Sequence, residues 1–174
     1  MRQLWKPPMF KALEVLTVVC VAVAMALSLA HALELPGKMR LSKEQYLATQ
    51  PIYYPGFTIG GAAEPIGLLM LLALLRLTAA GTPAFWLILG AFLALLAMHA
   101  AYWLLVHPVN NFWLKDFQLK GIGAGFFAFG HGSGMTNPGK PEWTLLRDRW
   151  EFSHLLRAVL GLISLILLVL AIAT

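Results

Sequence analysis

Charge is what this sequence lacks. Of 174 residues only 12% are Asp, Glu, Lys or Arg, whereas 59% are hydrophobic. Soluble domains carry roughly a quarter charged residues, and so few charges cannot furnish a polar skin for a soluble chain of this size. A single cysteine excludes a disulfide-stapled scaffold, and 6 Trp with 10 Phe exclude a disordered chain. No basic run is interleaved with aromatics, so the net charge of +5 points to lipid headgroups and not to nucleic acid. What remains is an all-α integral membrane protein.

Four apolar runs are long enough to cross a hydrocarbon core of ~30 Å: residues 10–35, 62–80, 83–106 and 150–173. Backbone polar groups in lipid must be satisfied within their own segment, so these runs predict helices. The whole chain, 1–174, reads as one four-helix membrane domain with two long loops, 36–61 and 107–149, on one side and both termini on the other. Ala30-His31-Ala32 could imitate a signal-peptidase site, but the first run is longer than a signal-peptide core and is expected to be retained. The short Thr78–Thr82 link predicts an antiparallel hairpin of helices two and three. Arg2, Lys6 and Lys11 ahead of the first helix favour cytoplasmic termini in an inner, cytoplasmic membrane. The eight basic residues of the long loops pull the other way, but long loops follow this rule weakly.

The few ionisable residues fall unevenly along these runs. His31 and Glu34 end the first, Glu64 opens the second, His99 lies near the end of the third with His107 beyond it, and Glu151, His154 and Arg157 open the fourth. Because successive helices alternate in direction, all of them converge on the long-loop end. Ionisable side chains in membrane spans usually face the bundle interior. His31-x-x-Glu34 and Glu151-x-x-His154 each set an imidazole and a carboxylate on one helix face. Glu-x-x-His pairs with further carboxylates build di-iron and di-manganese bundles. A metal site drawn from His31, Glu34, Glu64, His99, Glu151 and His154 is therefore one expectation, with iron or copper as occupant. Haem between His99 and His31 or His154 is a second, and no cofactor at all is a third. The plainer alternative is structural: Glu64 suits a helix N-terminus, and Glu151 could pair with Arg147. Arg157, two turns inside its helix, needs Glu64, Glu151 or an anionic substrate oxygen as partner.

The stretch Gly121–Gly139 interleaves seven glycines with Phe126, Phe127, Phe129 and His131. It has no preceding strand and fits no nucleotide fingerprint. A flap, a re-entrant segment, or a partner-docking loop anchored by its rings suits it. Pro141-Glu142-Trp143 could start helix four early, and Tyr46, Tyr53, Tyr54 and Phe57 could cap the pocket from the other loop. Cys20 is mid-helix packing.

Three short motifs carry a resemblance: Ala30-His31-Ala32 followed by Pro36; His107-Pro108-Val109-Asn110; and Trp150-Glu151-Phe152-Ser153-His154-Leu155-Leu156-Arg157. In these the chain is similar to the anthrone-oxygenase-like family of small four-helix membrane proteins. The resemblance implies oxidation of an activated aromatic carbon by dioxygen, with His31, Asn110, Trp150, His154 and Arg157 as the carried-over positions. It implies His154 or His31 as general base and Arg157 as the group that stabilises the resulting anion, which meets oxygen directly or at a metal. The expected partners are the lipid bilayer and a hydrophobic small molecule, with a homo-oligomer or a larger membrane complex as the assembly. The competing class is a non-enzymatic membrane subunit or lipid-binding protein whose polar cluster only holds helices together. A metal- or haem-binding electron carrier is a further alternative. A transporter fits less well, since four helices show no inverted repeat.

Overall fold

The computed structural model describes residues 7–113 and 143–174, apart from the side chains of Asn111 and Phe112. The glycine-rich stretch 121–139, His131 and the Pro141-Glu142 helix start lie outside the described residues, as do Arg2 and Lys6. All described regular structure is helical: α1 Pro8–Lys38, α2 Lys43–Thr49, α3 Gly56–Gly61, α4 Ala63–Leu77, α5 Pro83–Ala101, α6 His107–Trp113 and α7 Trp143–Ala173. A 3-10 turn, Gln50–Tyr53, follows α2, and a π-helical turn, Tyr102–Val106, joins α5 to α6.

Four helical stretches are long and apolar enough to cross a membrane: Pro8–Lys38, Gly56–Leu77, Pro83–Asn110 and Trp143–Ala173. The chain is thus an integral membrane protein. At 1.5 Å per residue α1 and α7 are each about 46 Å long, well beyond the ~30 Å hydrocarbon layer. Their polar ends therefore reach the headgroups. α7 packs against both α1 and α5, and α4 lies opposite it, also between α1 and α5. The central core is Val21, Ala24, Leu71, Leu74, Ile88, Ala91, Leu95, Met98, Leu168 and Ala171. Outward faces carry Val15, Val19, Leu69, Leu93, Ile163 and Leu170, which suit lipid. Small residues bring helices close: a Cβ on Gly161 of α7 would stand 3.1 Å from the Met25 Cα of α1.

The helices overrun the apolar runs at the long-loop end, in each case for a visible reason. Pro36 predicts the end of the first helix, but α1 continues through it to Lys38, whose ammonium is tied to Glu34 at 2.9 Å and to Glu151 at 3.5 Å. The third span, expected to end near Val106, runs on to Trp113. Pro108 has no N–H to offer the Leu104 carbonyl one turn back; the wider π turn lies just before it, and the Arg149 guanidinium takes that oxygen at 2.8 Å. α7 begins at Trp143, ahead of Trp150. The first long connection is largely helical, and α2 is opened by a capping box in which Ser42 and Gln45 bond each other's backbone N–H. Along with Val106, Val109, Trp113 and Trp150, its Tyr46 and Tyr53 form a second, aromatic core over this end of the bundle.

Gly161 tests the α1–α7 contact. Gly161→Val should lower the thermal midpoint in detergent, at the ~1–3 kcal/mol typical of overpacking. Gly90→Ala, which meets only the movable Leu167 Cδ1 at 3.1 Å, should change it little. Equal midpoints for the two variants would refute the close approach.

Candidate functional site

At the long-loop end the bundle encloses a cavity of about 630 Å³ whose wall includes His31, Glu64, His99, Asn110, Trp150, His154 and Arg157. Every position carried over by the resemblance lies in this wall. Tyr53, Tyr54, Phe57, Tyr102 and Trp103 make much of the remainder aromatic. Helix ends explain the assembly. α1 and α5 finish here, α4 and α7 begin here, and each delivers its ionisable residues within its last or first few turns. The π turn places Tyr102, Trp103 and Val106 in the wall, and α6 adds Asn110.

The six candidate metal ligands do not form one cluster. Four of them fall into two groups, each built around a cation. In the first, Arg157 Nη2 donates to Glu64 Oε2 at 2.6 Å, and Glu64 Oε1 meets His99 Nδ1 at 3.0 Å. In the second, Lys38 lies between Glu34 and Glu151, while the phenols of Tyr53 and Tyr46 donate to those carboxylates at 2.7 and 2.9 Å. Burial, together with the neighbouring carboxylates, pushes both phenols above their ordinary range, so they remain donors. Glu151 pairs with Lys38, whereas Arg147 pairs with its neighbour Asp148 at 2.8 Å. Glu34 and Glu151 sit behind the cavity wall, not in it.

Between the groups, His31 and His154 stack with ring centroids 4.1 Å apart, and Trp150 lies 4.8 and 4.3 Å from them. Lysine and arginine only donate hydrogen bonds. Lys38 Nζ is 3.3 Å from His31 Nδ1, and Arg157 Nη1 is 3.4 Å from His154 Nδ1. Each Nδ1 is therefore an acceptor, and the ring proton is on Nε2. The same rule orients His99: the Trp103 indole donates to its Nε2 at 3.0 Å, so its Nδ1–H serves Glu64. In this tautomer His31 and His154 present a donor on the edge turned away from the cations. His154 Nε2 and Arg157 Nε are buried without a hydrogen-bond partner. Unsatisfied donors at such a position cost stability.

Among the described residues no group of three or more His, Cys, Asp or Glu side chains is placed to hold a metal ion. Each carboxylate is engaged by Lys38, Arg157, a tyrosine or His99 through at least one oxygen, and the Nδ1 atoms of His31 and His154 face cations. This donor set does not fit the expected iron or copper centre. Haem ligation by His99 with His31 or His154 does not fit either: the His99 nitrogens meet Glu64 and the Trp103 indole, each at 3.0 Å, and the Nδ1 atoms of His31 and His154 face Lys38 and Arg157. Asn110, expected only from the resemblance, accepts from the Trp150 indole at 2.7 Å. Lys38 and Tyr102 were missed as site-forming residues. Lys38 was nevertheless signalled, since it lies four residues after Glu34 and seven after His31 on one helical face. No family model, curated protein or solved structure matches the chain.

The Glu64–Arg157 pair makes a coupled prediction. Arg157→Met leaves the buried carboxylate unpaired and should cost about 3–5 kcal/mol. Adding Glu64→Gln should recover most of that in thermal unfolding. Losses that simply add would show that the pair is not coupled.

Proposed function

We propose that this chain is a membrane-embedded oxidoreductase of the oxygenase type, acting on a hydrophobic, aromatic small molecule held in the cavity. One observation carries the reading: two imidazoles 4.1 Å apart and a guanidinium share a wall of a substrate-sized cavity lined mainly by apolar and aromatic side chains. An acidic aromatic substrate would enter as its anion, and the Nε2–H groups with the Arg157 guanidinium would stabilise negative charge on its oxygen. Reaction of such an anion with dioxygen converts an activated CH2 group and one O2 into a carbonyl and one water, so dioxygen is the oxidant and the ring carbon is oxidised. Trp150, held by Asn110, and Tyr53 and Phe57 would orient the ring system.

Oxygen uptake by the purified protein in lipid nanodiscs, with an anthrone-type substrate, tests this directly. His154→Phe and Arg157→Lys should each lower the rate by roughly 10²-fold or more, the scale of a lost oxyanion donor. The lysine keeps a charge beside Glu64. Uptake no faster than in empty nanodiscs would reject the assignment.

A structural membrane subunit is the second reading. It is favoured by the ion pairs themselves, which join α4 to α7 and α1 to α7. That reading expects His154→Phe to be silent and the protein to co-purify with a larger complex.

For topology, the reading adopted is an inner, cytoplasmic membrane with both termini inside, on the strength of the basic residues ahead of α1. In a Cys20→Ala background, Thr174→Cys should resist an impermeant thiol reagent in intact cells and react after permeabilisation. Labelling of intact cells would reverse the orientation.

A further inference from the structure

One row of polar groups leads from His31 away from the cavity. His31 is buried in the cavity wall, and its Nδ1 faces Lys38 Nζ at 3.3 Å. Lys38 is itself buried, under the rings of Tyr53 and Trp150 at 4.8 and 4.9 Å. Its next neighbour, Glu34, has a side chain 45% exposed, at 2.9 Å. The row therefore begins at the protein surface in the last turns of α1 and ends in the cavity wall. The lengths of α1 and of the hydrocarbon layer put Glu34 at headgroup level on the long-loop side.

The other groups facing His31 do not offer an equivalent route. Tyr53 and Phe57 present rings at 4.5 and 4.8 Å, and the Trp150 indole N–H is committed to Asn110. His154 stacks on His31 and takes its own hydrogen bond from Arg157, whose other donor is fixed on Glu64. Glu151 lies on the far side of Lys38 and is fully buried.

We propose that Glu34, Lys38 and His31 form a proton path from the membrane surface on the long-loop side to the cavity. In the inward step the Lys38 ammonium gives a proton to His31 Nδ1 as His31 Nε2–H gives its own to an anionic oxygen in the cavity. The Glu34 carboxylate takes a proton from the water at the surface and passes it to Lys38, now an amine, so that both return to their starting charge. The ring is left with its proton on Nδ1; the starting tautomer returns when the imidazole turns about Cβ–Cγ, water in the emptied cavity takes the Nδ1 proton and returns one to Nε2, and the ring turns back. One proton moves inward and no electrons move. The path rests on reading the cavity as a reaction site. In the proposed oxidation it would supply the proton that departing hydroxide needs to become water, so that Lys38 is a positioning residue and His31 the group that meets the ligand.

The test uses the full chain, labelled with ¹⁵N-histidine, in lipid nanodiscs, with the His31 signal assigned by its loss in His31→Gln. The expected spectrum has the proton on Nε2 and exchanges it on transfer to D2O. Glu34→Gln keeps the hydrogen bonds but cannot pass a proton. It should slow exchange at least about tenfold, well within the roughly 10²-fold contribution of a positioned acid–base group. Lys38→Arg should keep the tautomer, whereas Lys38→Met should mix the two tautomers. If Lys38→Met does not fold, Glu34→Gln still decides. Wild-type rates in Glu34→Gln, or a proton on Nδ1 of His31 in the unmodified chain, would overturn the path. Slowed exchange in Glu34→Gln together with absent oxygen uptake would support the path and remove only the oxidation.

Discussion

A charge held away from water must be matched by another charge, and the pairing of Arg157 with Glu64 is the constraint on which the polar end of this bundle depends. Both groups are buried, and they belong to helices that lie diagonally across the bundle. Their contact therefore sets the distance and rotation of α4 and α7 together. With one guanidinium nitrogen fixed on Glu64, a second reaches His154 and the third is left in the cavity wall without a partner. Glu64 in turn orients His99. A single ion pair thus decides which edge of two imidazoles is turned toward its partner and which edge is left over.

The two cores divide the work. The central one is aliphatic and could be exchanged for other well-packed apolar residues with modest loss. The aromatic one, over the long-loop end, combines packing with hydrogen bonding: Tyr46 and Tyr53 fill space and also hold the carboxylates that hold Lys38. Two prolines mark its borders. Each removes a backbone donor near the end of a span, and each is followed by more helix because a cationic side chain binds nearby: Lys38 beside its carboxylates after Pro36, Arg149 on the Leu104 carbonyl before Pro108.

The four spans were legible because lipid admits so few solutions: a long apolar run must be a helix, and alternation of direction then collects His31, Glu64, His99 and His154 at one end. For Arg157 the same reasoning left Glu64, Glu151 or a substrate oxygen as partner, and the structure selects Glu64. What could not be read was how the collected residues divide among themselves. Spacing places His31 beside Glu34 and Glu151 beside His154, which suggests ligands. It does not show that Lys38 enters the same cluster and claims both carboxylates. Pro36 concealed this by predicting a helix end two residues before Lys38. The helical character of residues 43–61 was partly written in Ser42-x-x-Gln45, a capping signature short enough to be passed over.

Ile59 and Trp103 line the cavity and are 62% and 36% exposed, and around much of this bundle the surrounding medium is acyl chain. For a lipophilic ligand the relevant quantity is then its mole fraction in the bilayer. Partitioning concentrates such a molecule before any contact with the protein is made, so weak intrinsic binding is enough for high occupancy. Saturation measured against total aqueous concentration would shift with the amount of lipid present, while the intrinsic affinity stayed constant.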